Sequence, residues 1–117
     1  MSRGVNKVIL IGNLGRAPEM RQTNNGSSLC TVSMATTASF RNRETKEKVE
    51  KTDWHRLVFF GRLAEIVTEY LDKGSHIYVE GRLQTREWQD QQTGEKRSMT
   101  EVVVNEMQML DLSLIHI

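Results

Sequence analysis

Hydrophobic and polar side chains alternate along five stretches of this chain, and a sixth stretch has the spacing of an amphipathic helix. Alternation is typical of a strand, whose successive side chains point to opposite faces, whereas a helix repeats every three to four residues. We therefore predict strands over residues 5–14, 29–40, 54–60, 75–88 and 99–109. The helical spacing predicts a helix over residues 62–71, with Tyr70 packed on its apolar stripe and Gly74 ending it.

The order of these elements favours one fold. A single helix, placed between the third and fourth strands, excludes a doubly wound α/β sheet. Five strands with a helix in that position is the order of an OB-fold, a small, partly open Greek-key barrel. We predict an all-β protein of this kind over residues 1–110, with the helix closing one end of the barrel.

The connections between the strands are polar. Residues 16–19 and 23–27 are rich in turn-forming side chains and predict loops after the first strand. Residues 41–52 are highly charged and predict a solvated hairpin loop, which is also suited to act as a flexible basic arm. Residues 89–98 predict a second polar hairpin loop.

Two stretches depart from simple alternation. Residues 8–11 are apolar on both faces, so the second face requires a cover, either a helix or another subunit. Strict alternation places Phe40 on the core face of the second strand, with Val32 and Met34. We predict a bulge or sharp coil near residues 37–39 that turns Phe40 away from the core.

The third predicted strand has an unusual face. Alternation places Trp54, Arg56 and Phe60 on one face, opposite the apolar Leu57 and Phe59. Because an unpaired buried cation is costly, two aromatics around an arginine are more natural on an exposed face. The alternative is an ordinary amphipathic strand, with the aromatics in the core and the arginine at its rim.

The fourth predicted strand repeats this arrangement. Its core face is predicted to carry Ile77, Val79, Gly81 and Leu83. Its other face has Arg82 and Arg86 and ends in Trp88. Aromatic rings stack on any nucleic-acid base, and arginine contacts phosphate. Because the bases of a duplex are already stacked, the pattern predicts a binding surface for single strands.

Composition and motifs exclude several other functions. The net charge of +1 and pI of about 7.9 are not strongly basic, so an electrostatic site must come from local arrangement. The single Cys30 excludes an internal disulfide and a cysteine-rich zinc site, and it suits a reducing compartment. The chain has no catalytic motif, so we predict no enzymatic activity, no cofactor and no metal. It also has no secretion signal and no stretch that would span a bilayer.

Several segments together resemble the bacterial single-stranded DNA-binding proteins that form homotetramers. The matching segments are residues 2–15, 52–56, 60–65, 69–75, 78–83 and 100–105. They lie in register along nearly the whole chain. The resemblance implies an OB-fold, and binding of single-stranded DNA with little sequence preference during replication, recombination and repair. It also implies a bacterial cytoplasmic, nucleoid-associated protein that forms dimers largely through its first strand, and these dimers pair into a tetramer.

The resemblance implies roles for individual residues. Its stacking aromatics fall on Phe40, Trp54, Phe60 and Trp88, and the family commonly has tryptophan at the first of these positions. Its basic DNA contacts fall on Arg3, Arg43, Arg56, Arg62, Lys73 and Arg86. Its subunit contacts fall at or near Lys7, His55, His76 and Tyr78.

The end of the chain departs from the family. Family members continue into a long disordered tail whose acidic tip recruits replication and repair proteins. Here the chain ends with the apolar residues 111–117, which we interpret as an atypical extension due to a truncation, a frameshift or a cloning artefact. We therefore expect DNA binding without tip-dependent recruitment. Two alternatives remain open from the residues: a protein–protein adaptor, and a primosomal or RNA-binding OB module.

Overall fold

A computed structural model describes residues 3–110, and its strands form one sheet that closes into a barrel. The elements in chain order are β1 (Val8–Leu14), β2 (Glu19–Gln22), β3 (Ser28–Arg41), β4 (Lys48–Phe60), α1 (Gly61–Tyr70), β5 (His76–Gln89) and β6 (Lys96–Met109). The predicted OB-fold is confirmed. The helix α1 lies between β4 and β5, which correspond to the third and fourth predicted strands.

The barrel closes where β1 pairs with β3. The sheet order is β1-β5-β6-β4-β3-β2, and Asn13 and Leu14 of β1 also pair with Ala35 and Met34 of β3. A side chain at Gly12 would collide with the Ala35 carbonyl oxygen, so the close approach of the two strands requires glycine there. The strand β2 is an addition that pairs with β3, in a region predicted to be loop.

The core lies inside this barrel and is capped by α1. Alternate positions of β3, β4 and β5 supply its fully buried side chains, among them Val32, Met34, Leu57, Phe59, Ile77 and Val79. The helix adds Ala64 and Val67, and Leu71 follows at its C-terminal end. Tyr70 is exposed, so the prediction that it packs on the apolar stripe is wrong. Burial of this apolar surface is the main force that holds α1 against the barrel.

Two long hairpins extend beyond the barrel, where loops were predicted. The strands β3 and β4 pair without interruption from Leu29↔Phe60 to Arg41↔Lys48, which leaves only residues 42–47 as the turn. The predicted bulge at residues 37–39 is therefore wrong. Phe40 is exposed because the hairpin continues past the end of the core, where both of its faces meet solvent.

The second hairpin joins β5 and β6 and contains the observed irregularity. Glu80 pairs with Glu106, but the next residue, Gly81, pairs with Val104, so one residue of β6 is extra. Beyond this shift Leu83 is exposed, and the prediction that it faces the core is wrong. Its backbone is held instead by Asn6, whose side chain accepts from the Leu83 N–H and donates to the Leu83 carbonyl, both at 2.8 Å.

Candidate nucleic-acid interface

A groove of about 500 Å³ crosses the outer face of the barrel, from β2 to β5. Arg56 and Phe60 line it because they alternate along β4 with the buried residues Leu57 and Phe59. The apolar part of its lining is Leu29, Val58 and Phe60. The polar part is Arg16, Glu19, Arg21, Thr31, Arg56, Gln84, Arg86 and Glu101.

The floor of the groove holds a carboxylate between two guanidinium groups. Glu101 accepts a hydrogen bond from Arg56 Nε at 3.1 Å and another from Arg86 Nε at 2.8 Å. It is 3% exposed, and it is the one charged side chain among residues 3–110 that is buried. A buried carboxylate needs charged partners to offset its lost hydration, and the two arginines provide them.

The four predicted stacking aromatics are all exposed, by between 45% and 62%. Phe60 lies in the groove, and Trp54 stands near it, with its indole over Gly15. Phe40 and Trp88 lie farther along the two hairpins, near their turns. Neither tryptophan is enclosed in the core, which is the arrangement that base stacking requires.

Comparison with known proteins identifies the family. The sequence model of the single-strand binding protein family matches residues 5–110. This chain belongs to the single-strand binding protein family. Members of that family bind single-stranded DNA and are not enzymes, so the predictions of family, general function and absence of catalysis are confirmed.

Two solved structures of this family resemble the chain closely. One is the SSB of Plasmodium falciparum in complex with ssDNA, which is 34% identical with a TM-score of 0.83, over 95% of this chain and 99% of that one. Another is a deletion mutant of the single-stranded DNA binding protein from Thermus aquaticus. It is 37% identical with a TM-score of 0.80, and the match covers 95% of this chain and 53% of that chain.

The structure brings together only some of the basic residues predicted for this single-strand binding protein. Arg56 and Arg86 share the groove. The other four lie outside its lining and are exposed: Arg3 before β1, Arg43 in the β3–β4 turn, Arg62 in the first turn of α1 and Lys73 in the turn after α1.

Three residues that line the groove were not predicted from the sequence as site residues: Arg16, Arg21 and Glu101. Arg16 and Arg21 line it, but they lie on or beside β2, which had been predicted as loop. Glu101 was also missed. The available signal was an acidic residue directly before the apolar run Val102–Val104, on a strand otherwise suited to the core.

The predicted subunit contacts lie mainly on a second surface, beside β1. Ile9 and Ile11 are 54% and 52% exposed there, and they pair across the strands with Glu80 and Tyr78 of β5. The residues Lys7, His76 and Tyr78 belong to this surface, with Lys7 Nζ 4.0 Å from Glu80 Oε1. His55 is elsewhere, on β4, where its Nε2 lies 2.8 Å from Thr36 Oγ1.

A short hydrogen bond on this second surface shifts two pKa values. The Tyr78 hydroxyl donates to Glu80 Oε1 at 2.6 Å. Through this bond the carboxylate raises the pKa of Tyr78 above its ordinary value. The same bond is the main cause that lowers the pKa of Glu80. The bond therefore favours the ionised form of Glu80 and the neutral form of Tyr78.

Residues 3–110 contain no cluster of three or more histidine, cysteine or acidic side chains placed to hold a metal ion. In the same residues no helix is both long and apolar enough to cross a membrane. Cys30 is buried, and burial raises the pKa of its thiol.

Proposed function

We propose that the groove from β2 to β5 binds single-stranded DNA without sequence preference. The observation that carries this proposal is the placement of Phe60, Arg56 and Arg86 in one groove, with Trp54 exposed beside it. Bases stack on the rings, and guanidinium groups contact the phosphates. Neither interaction distinguishes one base from another, so the binding tolerates any sequence.

The charge of the groove supports the proposal. Four arginines and two glutamates line it, so it is positive although the whole chain has a net charge of only +1. A positive groove concentrates a polyanion and releases its counterions on binding. The electrostatic attraction expected of a DNA-binding protein is thus concentrated in one place.

In this proposal the bound DNA strand continues beyond the groove. Phe40 and Trp88 offer exposed rings on the two hairpins, which are extensions of the strands that form the groove. The exposed Arg3, Arg43, Arg62 and Lys73 supply further phosphate contacts along the path. These assignments rest on the family resemblance together with the exposure of each side chain.

We infer that the protein assembles as a homotetramer, a dimer of dimers, through the surface beside β1. The support is the pair of exposed isoleucines, Ile9 and Ile11, on a strand whose other face packs on the core through Val8 and Leu10. Covering such a pair with an identical strand buries apolar area on both copies. Lys7, His76 and Tyr78 flank this contact, and His55 contributes from β4.

The biological role proposed is protection of single-stranded DNA during replication, recombination and repair in the bacterial cytoplasm, on the nucleoid. The domain responsible is residues 1–110. The predicted atypical segment 111–117 lies outside the described residues. The prediction that recruitment of replication and repair proteins is lost concerns the same end of the chain.

A competition measurement tests the function. A fluorescent oligo(dT) is bound by the protein, followed by anisotropy, and challenged with unlabelled strands of equal length. We expect mixed-sequence single-stranded DNA to compete as well as oligo(dT), and duplex DNA to compete poorly. Stronger competition by RNA would indicate the RNA-binding alternative. Absence of binding to any nucleic acid would reject the proposal in favour of a protein adaptor.

A further inference from the structure

We propose that Glu101 is a positioning residue, which orders Arg56 and Arg86 for contact with the DNA backbone. The inference rests on the proposed function of the groove. Glu101 itself is buried and of the wrong charge to touch phosphate, so its effect on DNA passes through the two arginines.

The sheet order creates this arrangement. The strand β6 lies between β4 and β5, so Glu101 on β6 has Arg56 on one side and Arg86 on the other. Each carboxylate oxygen accepts from a different arginine: Oε2 from Arg56 at 3.1 Å and Oε1 from Arg86 at 2.8 Å. Gln84, the cross-strand partner of Glu101, lies 3.5 Å from the same Oε1.

Both contacts use the Nε atom of the guanidinium group. The terminal nitrogens carry the remaining N–H donors, and apart from a weak contact of Arg86 Nη2 with Met99 Sδ at 4.0 Å they are left for another acceptor. The side chains of Arg56 and Arg86 are 38% and 50% exposed, so part of each reaches the groove while its inner edge is held. A phosphate oxygen is the acceptor that such a planar donor edge suits.

Ordering the two side chains in advance favours binding. A free arginine has many rotamers, and fixing them at the moment of binding reduces affinity. The carboxylate also reduces the repulsion between two neighbouring cations in the free protein. The groove thus keeps two guanidinium groups close together and already oriented.

This proposal and simple electrostatics predict opposite effects of removing the charge. A carboxylate beneath a polyanion repels it, so charge alone predicts tighter binding by Glu101→Gln. In the positioning proposal the same change weakens binding. The oxygen of the glutamine amide can accept from one arginine only. Its NH₂ group would face the Nε–H donor of the other arginine, which would then lose its hydrogen bond.

The experiment compares Glu101→Gln with Glu19→Gln, which removes the same charge from the lining of the same groove. We expect Glu101→Gln to raise the Kd for oligo(dT) about tenfold, because two arginines lose their order. The salt dependence should stay close to that of the wild type, since both cations remain. Glu19→Gln should bind slightly more tightly. Equal or tighter binding by Glu101→Gln would overturn the proposal.

A measurement on the wild-type protein decides the matter if Glu101→Gln does not fold. Arginine Nε–H signals are recorded by NMR and assigned with single arginine-to-lysine variants. We expect slow exchange with water for Arg56 and Arg86, both before and after addition of oligo(dT), and fast exchange for the exposed Arg41. Loss of protection on addition of DNA would contradict the proposal. Failure of the wild type to bind oligo(dT) would instead reject the proposed function.

Discussion

The indole ring of Trp54 lies directly against the backbone of Gly15. A Cβ atom at Gly15 would come within 2.6 Å of Cζ3 and 3.1 Å of Cη2 of the ring. The first of these distances is shorter than carbon atoms tolerate, so a residue with a side chain at this position displaces the indole. The loop after β1 therefore sets where the most exposed of the four aromatics stands.

Gly15→Ala is expected to weaken binding of oligo(dT) without unfolding the protein. The exposed indole is free to rotate away from the new methyl group, so the melting temperature should change little. Its stacking position is lost, however, and a lost stack costs about 1–3 kcal/mol. Gly4→Ala is the matched control, because nothing lies within 4 Å of a Cβ there. A Gly15→Ala protein that binds as tightly as Gly4→Ala would contradict the expectation.

Trp54→Ala and Trp88→Ala are each expected to weaken binding by about 1–3 kcal/mol per lost stack. In the wild type, titration with oligo(dT) should quench tryptophan fluorescence strongly, because both indoles are exposed and stack on bases. Tyr70→Ala is the control, since Tyr70 is an exposed aromatic on α1, outside the groove lining. Unaltered affinity in both tryptophan variants would reject the stacking assignment.

Affinity for oligo(dT) is expected to fall as salt rises, because arginine and lysine side chains release counterions from the phosphates. Arg86→Ala should reduce the slope of log K against log salt by about 0.7, the value for one contact to a single strand. Arg97→Ala should change the slope less, since Arg97 lies outside the groove lining and Asp90 at 3.6 Å and Glu95 at 3.9 Å share its guanidinium group. A flat salt response of the wild type would exclude the role given to Arg56 and Arg86.

Ile11→Asp is expected to lower the mass of the particle in solution. The exposed isoleucine would be replaced by a charge that must lose its hydration in an interface. His55→Tyr should also loosen the assembly, because the family resemblance places His55 at or near a subunit contact and the larger ring would disturb it. Light scattering at low concentration measures both, with Tyr70→Asp as the control on a different surface. Unchanged mass in both variants would reject the proposed assembly.

The stability contribution of the Tyr78–Glu80 hydrogen bond is expected to depend on pH. The folded-state pKa of Glu80 is lowered, so its contribution is complete above the ordinary glutamate pKa and is lost as pH falls through the folded value. The folded-state pKa of Tyr78 is raised, so its contribution is lost only as pH rises beyond the ordinary tyrosine value. Urea unfolding of Tyr78→Phe and wild type should therefore differ most near neutrality. A difference that stays constant into acid would contradict this assignment.

Alternation along single strands was sufficient to find much of the groove. It placed Arg56 and Phe60 opposite Leu57 and Phe59, and it placed Arg86 and Trp88 on one face of β5. The order of strands and helix was sufficient for the fold. Both inferences succeed because the direction of a side chain on a strand is a local property of the backbone.

Alternation failed where an element continues past the core. Phe40 has the parity of a core position, and it is exposed because its hairpin extends beyond the barrel. Leu83 also has the parity of a core position, and it is exposed because it lies past the register shift at Gly81, the last residue of β5 that pairs with β1. The parity of a position states which face it is on. It does not state whether anything covers that face at that point along the strand.

The sequence by itself determined the fold, the family and the identity of the exposed rings. Only the tertiary structure decided that Glu101 lies between Arg56 and Arg86, and that Gly15 supports Trp54. The reason is that these contacts join residues distant in the chain. They depend on β6 lying between β4 and β5, and on β1 closing against β3, which is a property of the whole barrel and of no single strand.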